Sequence, residues 1–140
     1  MMQETKEANK YLFICLANIR RSITGERVFR QMLEKEGYKV GSLEDEAKEG
    51  FDFIVDSAGI LYKHGKRTFE KQMAEGARYI FAADHVVSWQ LISSEGYNLQ
   101  DSVKIVNLQI EDRYDPDIDW QRKELERIFM EKLVQYIPVR

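Results

Sequence analysis

The feature that most constrains the fold is the run Tyr11-Leu12-Phe13-Ile14-Cys15. Residues 11–14 are apolar without alternation, which predicts a strand buried on both faces, the pattern of a parallel sheet. The run ends on the only cysteine in the chain, and Arg21 and Ser22 follow six and seven residues later. Helical periodicity then begins. Val28, Phe29, Met32 and Leu33 fall on one face of a helix over residues 21–37, with Arg27, Arg30, Glu34 and Lys35 outside. Ser22 or Thr24 is a candidate cap and Gly37 a candidate stop. A strand, a tight loop and a helix N-terminus in that order make an anion site.

The remaining chain repeats the alternation. Residues 38–40 read as a strand stub and residues 42–49 as a solvated acidic segment. Residues 51–56 are a second strand ending in a tight turn at Ser57-Ala58-Gly59. Residues 63–67 read as an exposed basic loop and residues 68–75 as a short helix. Residues 78–83 form a third strand, and Asp84 caps a helix running to about residue 94. Residues 95–98 read as a turn and residues 103–108 as a fourth strand. A loop dense in acids spans residues 109–119. The last helix covers residues 120–136, with Leu125, Ile128, Phe129, Leu133 and Tyr136 on one face. Strands alternating with helices predict an α/β three-layer sandwich, a four-stranded parallel sheet with helices on both faces. Ligands in such sheets bind beyond the carboxyl ends of the strands. Cys15 and the acidic loop both belong there.

Composition bounds the function. A chain of 140 residues accommodates one domain, expected over residues 10–140 after a flexible tail of residues 1–9. A net charge of -3 argues against a nucleic-acid partner, and no apolar run reaches the length of a membrane span. A single cysteine cannot form an internal disulfide, which suits a reducing, cytoplasmic setting.

Backbone amides of the loop over residues 15–21 would converge on a phosphate, with the helix dipole behind them. Arg21 can clamp that phosphate with two parallel hydrogen bonds. The same field favours a thiolate at Cys15, which under a bound phosphorus is a nucleophile for in-line displacement. Ser22 is placed to hydrogen-bond the sulfur, and Asn18 tolerates a left-handed backbone that locks the loop. The competing reading makes Cys15 a buried small hydrophobe. A leaving oxygen needs a proton, for which Glu111, Asp112, Asp115, Asp117 and Asp119 are the candidate acids. The cluster is read as carboxylates in water, with no metal. Tyr62 is placed to line the mouth. His64 and His85 read as surface or cap residues, and Trp89 and Trp120 as packing residues.

The loop Cys15-Leu16-Ala17-Asn18-Ile19-Arg20-Arg21-Ser22 resembles the signature C-L-G-N-I-C-R-S of the low-molecular-weight protein tyrosine phosphatases, matching six of eight positions. Glu26, Val28 and Phe29 match the family's A-E-x-V-F. Val55-Asp56-Ser57-Ala58-Gly59 resembles its second-strand ending, with Ile60 in place of Thr. Residues 79–84 resemble its third strand, and residues 108–114 the stretch ending in P-D-P-Y. The resemblance implies a phosphocysteine intermediate, no cofactor or metal, and a phosphorylated protein or small phosphomonoester as substrate. It makes Cys15 the nucleophile, Arg21 the phosphate-binding arginine and Asn18 and Ser22 loop supports. Asp112 becomes the general acid and Tyr114 an aromatic of the pocket rim. Asp115 is the rival acid, since it precedes Pro116 as the family's acid precedes a proline.

The departures are specific. Ala17 replaces Gly, Ile23 replaces Pro, and the segment over residues 41–50 is longer than expected. Arg20 replaces a second loop cysteine that in many members shields the nucleophile, so Cys15 is expected to be open to irreversible oxidation. Two other activities fit the same cradle. One is a phosphate- or phosphoprotein-binding module without catalysis. The other is an arsenate reductase, which would need an external thiol because no further cysteine is present.

Overall fold

The computed structural model describes residues 9–15, 21–45, 50–60, 68–94 and 104–138. Residues 1–8 of the expected tail over residues 1–9, most of the expected phosphate loop (Leu16, Ala17, Asn18, Ile19 and Arg20), Tyr62 and His64 lie outside them, as do residues 46–49, the basic loop and the turn over residues 95–98.

The chain runs β1 (Asn9–Cys15), α1 (Arg21–Lys35), β2 (Val40–Gly41), β3 (Phe53–Gly59), β4 (Ala77–Ala82), α2 (His85–Ser94), β5 (Ile105–Asn107) and α3 (Asp119–Leu133). All strand pairs are parallel, in the order β2-β3-β1-β4-β5. The sheet therefore has five strands where four were expected. The addition is the stub at residues 40–41, which pairs with Phe53 and Ile54 at the edge. The first strand starts at Asn9, one residue inside the expected tail.

Alternation along β1 divides the interior. Tyr11 and Phe13 face a cluster with Phe53, Val55 and Phe81, covered by Val28, Phe29 and Leu33 of α1 and Leu125, Phe129 and Leu133 of α3. Leu12 and Ile14 face Ala58, Ile80, Ala82 and, from α2, Val87 and Leu91. Both faces of β1 are buried, as the unbroken apolar run requires. Trp89 and Trp120, expected to pack, are each 65% exposed. Trp89 lies off the stripe that Val87 and Leu91 turn inward, and Trp120 off the stripe of Leu125, Phe129 and Leu133.

Several boundaries differ from expectation. Ser57, Ala58 and Gly59 form strand rather than turn, opposite Phe13, Ile14 and Cys15. Their small side chains suit complete burial, and the Ser57 hydroxyl donates to Glu26 Oε1 at 2.6 Å. The short helix before β4 reduces to one 3₁₀ turn, Lys71–Ala74. Ser22 and Thr24 lie inside the first turn of α1 rather than at its cap. The other end is as expected: Gly37 has φ 90°, Tyr38 N–H donates to Leu33 O at 3.1 Å, and Gly37 N–H to Glu34 O at 2.9 Å. These bonds make a Schellman cap. Among the described residues, no helix is long and apolar enough to cross a membrane.

The approach of α1 to the sheet depends on Gly25. A Cβ there would stand 2.6 Å from Phe13 Cδ1 and 2.7 Å from Phe129 Cε1, on two rings fixed in the core. Gly25→Ala gains helix propensity but overpacks this contact. The expected net result is a loss of about 1–3 kcal/mol, the usual range for overpacking, read from the urea unfolding midpoint. A midpoint above wild type would mean that the rings yield.

Candidate active site

The candidate side chains gather at the carboxyl edge of the sheet. The chain leaves β1 toward α1 and β3 on one side, while β4 continues the sheet on the other. This is the switch point at which open α/β sheets bind ligands. Hydrogen bonds beyond the strand ends extend the sheet into the site. Ala83 N–H donates to Ile14 O at 2.9 Å, Ile60 N–H to Cys15 O at 3.1 Å, and Ile110 N–H to Ala83 O at 2.8 Å.

Cys15 is buried at the end of β1, with its Sγ 2.9 Å from Ser22 Oγ in the first turn of α1. Beside it Arg21 is 3% exposed. Its Nη1 donates to Asp84 Oδ2 at 2.6 Å and to the Ile110 carbonyl at 2.9 Å. Its Nε lies 3.6 Å from Asp112 Oδ1. Nη2 has no partner among the described residues. One side of the guanidinium is thus tied to the fold, and the other can meet an anion in a fork.

Asp84 has two duties. Its Oδ1 accepts the Val87 N–H at 3.0 Å, capping α2 as the sequence predicts, while Oδ2 holds Arg21. Partial burial pushes its carboxyl up. Hydrogen bonds from Arg21 and the Val87 and Val86 amides, with the Arg21 charge, outweigh burial and hold it below its ordinary range. The sequence reading assigned only the cap, because the Arg21 pairing joins residues 63 positions apart.

The acidic loop separates its candidates. Asp112 is 56% exposed and within ion-pair range of Arg21. Asp115 is engaged in its own loop: its Oδ1 accepts the Asp117 N–H at 2.9 Å, and its N–H donates to Gln121 Oε1 at 2.8 Å. Asp119 pairs with Arg122 and Lys123 on α3, and Glu111 with Arg113. Tyr114, expected at a pocket rim, is 6% exposed and belongs to the core cluster; Arg113 stacks on its ring at 4.6 Å. His85 is exposed, as expected. Among the described residues, no three His, Cys, Asp or Glu side chains group as metal ligands.

A polar row runs along α1 at four-residue spacing. Ser22 meets Cys15, Glu26 accepts from Ser57, and Arg30 donates to Val55 O at 2.7 Å and Val40 O at 3.2 Å. Sequence periodicity marks such positions as polar surface. Here they join α1 to β1, β2 and β3.

Residues 10–130 match the family of low molecular weight phosphotyrosine protein phosphatases, and the chain belongs to that family. No curated protein matches it in sequence. Solved structures share its fold. A YwlE mutant from Bacillus subtilis is 20% identical, with TM-score 0.66, over 92% of this chain and 98% of its own. A low molecular weight protein tyrosine phosphatase from T. tengcongensis is 17% identical, with TM-score 0.69, over 93% and 100%. A structure described as YwlE arginine phosphatase with a phosphorylated active-site serine is 21% identical, with TM-score 0.65, over 91% and 94%.

The Arg21–Asp84 contact makes stability depend on pH with a definite sign. Asp84 titrates lower folded than unfolded, so its contribution is complete above the ordinary carboxylate range, near pH 4. It is lost as pH falls through the lower folded value. Asp84→Asn is expected to lower stability at neutral pH and to flatten the acid limb below about pH 4. Denaturant midpoints against pH measure both, and parallel acid limbs in the two proteins would remove Asp84 as the cause.

Proposed function

We propose that this phosphatase is a cysteine-dependent phosphomonoester hydrolase acting on phosphotyrosine through a phosphocysteine intermediate. The observation that carries the reading is the pairing of Cys15 Sγ with Ser22 Oγ at 2.9 Å, beside a buried Arg21 whose Nη2 has no partner among the described residues. The order of steps follows from the groups. Arg21 holds the phosphate oxygens. The Cys15 thiolate attacks phosphorus, the S–P bond forms, and the P–O bond to the leaving group breaks. Asp112 gives its proton to the departing oxygen. In the second step water attacks the phosphocysteine while Asp112 takes up the water's proton. The S–P bond breaks, and the Ser22 hydroxyl stabilises the thiolate that leaves.

Asp112 is preferred as the acid because it reaches the Arg21 guanidinium, whereas the Asp115 carboxylate closes a turn of its own loop. Among the structural relatives are a tyrosine phosphatase and an arginine phosphatase, so the fold accommodates both leaving atoms. Phosphotyrosine is preferred on the family to which the chain belongs.

Turnover of an aryl phosphate, a phosphotyrosine peptide and a phosphoarginine peptide tests the assignment. Cys15→Ser is expected to abolish turnover of all three while retaining inorganic phosphate binding. Asp112→Asn is expected to lower kcat about 10²–10⁴-fold, the range for general acid catalysis, with a smaller loss in Asp115→Asn. The reverse ranking moves the acid to Asp115. Turnover surviving in Cys15→Ser would remove the thiolate mechanism, and a preference for phosphoarginine would change the substrate.

A further inference from the structure

We infer that Asn107 and Gln109 form a positioning device for Arg21, a bulge at the exit of β5 that turns the Ile110 carbonyl onto its guanidinium. The inference rests on the proposed role of Arg21 as the phosphate-binding group.

Gln109 is the only non-glycine residue at positive φ among the described residues, at 55°. The left-handed conformation is costly for an ordinary L-residue, so something must hold it. Gln109 N–H donates to the Asn107 side-chain Oδ1 at 2.9 Å, a local bond two residues apart. Gln109 is exposed, so core packing is not what fixes it.

The adjoining hydrogen bonds show what the conformation does. Leu108 N–H donates to Ala82 O, and Ile110 N–H to Ala83 O, both at 2.8 Å. In an unbroken parallel ladder the second bond would fall two residues along, at Asp84. The Asp84 carbonyl instead accepts Ser88 N–H at 3.1 Å and starts α2. Two residues of one segment therefore advance against one of its neighbour, as in a bulge, a device that re-aims chain beside active sites.

The bulge leaves Ile110 held at three points. Its side chain is buried, its N–H is bonded to Ala83, and its carbonyl accepts Arg21 Nη1 at 2.9 Å. The next two residues carry the acidic loop to Asp112, 3.6 Å from Nε of the same arginine. Gln109 thus lies at the hinge between the sheet and the loop that bears the proposed acid, and Arg21 senses its geometry through one backbone carbonyl.

The closing experiment reads Arg21 directly. In 15N-labelled protein, the Arg21 Nε–H signal is assigned by its absence in Arg21→Lys, and its exchange with water is measured. Inorganic phosphate binding is measured by calorimetry alongside. Gln109→Gly keeps the left-handed turn without a Cβ, and Asn107→Asp keeps the acceptor. Both are expected to preserve the signal and the phosphate affinity. Gln109→Val disfavours positive φ, and Asn107→Leu removes the acceptor. In both, Nε–H exchange is expected to quicken and phosphate dissociation to rise roughly tenfold, as for one lost hydrogen bond to a charged group. A wild-type Arg21 signal in folded Asn107→Leu or Gln109→Val overturns the inference. If Gln109→Val does not fold, Asn107→Leu decides, because Asn107 is only half-buried. If neither folds, the turn serves stability alone and the inference also fails. A wild-type protein that binds no phosphate would sink the proposed function, while the Arg21 signal would still decide the positioning role.

Discussion

A buried guanidinium is the constraint on which the active-site end depends. Arg21 is always charged, and taking such a group out of water costs several kcal/mol unless it is paired and hydrogen-bonded. Its partners come from two different strand exits, Asp84 after β4 and Ile110 after β5. Those exits meet Arg21 only when β1, β4 and β5 align in one parallel register. Removing one partner of such a pair costs about 3–5 kcal/mol when burial is complete; Asp84 remains partly solvated, which moderates that figure. Folding stability and the geometry of the proposed anion site therefore rest on the same few bonds.

The depth at which α1 sits is the second requirement, and two kinds of contact set it. On the apolar side, the absence of a side chain at Gly25 lets the helix reach Phe13 and Phe129. On the polar side, Glu26 and Arg30 are bonded to Ser57 and to the Val55 and Val40 carbonyls. A fully buried hydroxyl such as that of Ser57 costs about 1–3 kcal/mol if left unsatisfied. The polar row thus resists both rotation and sliding of the helix. Ser22, one turn before Glu26, is held against the Cys15 sulfur by the same constraint.

Much of this was legible in the sequence, for a physical reason. An unbroken apolar run marks β1 because both faces of that strand are buried, and the Asp84 cap follows from local chemistry within one turn. The loop from Cys15 to Ser22 carried its own spacing. What misled was which side chains the tertiary structure buries. Ser57, Ala58 and Gly59 have turn composition, yet they form strand, paired with Phe13, Ile14 and Cys15 and buried on both faces of the sheet. Tyr114, which the family resemblance sets at a pocket rim, has its ring in the core cluster. Trp89 and Trp120 look like core residues by type but fall off the buried stripes of their helices.

By itself the sequence determined the alternating α/β order, the buried strand that ends on Cys15, and the thiol, guanidinium and hydroxyl that follow it. These are properties of residue type at short spacing. Only the tertiary structure decided which carboxylate reaches Arg21, that Asp84 serves both as cap and as counter-ion, and that a left-handed turn at Gln109 brings in the Ile110 carbonyl. Those choices join residues 63 and 89 positions apart. They are made by strand order and register, which no local pattern encodes.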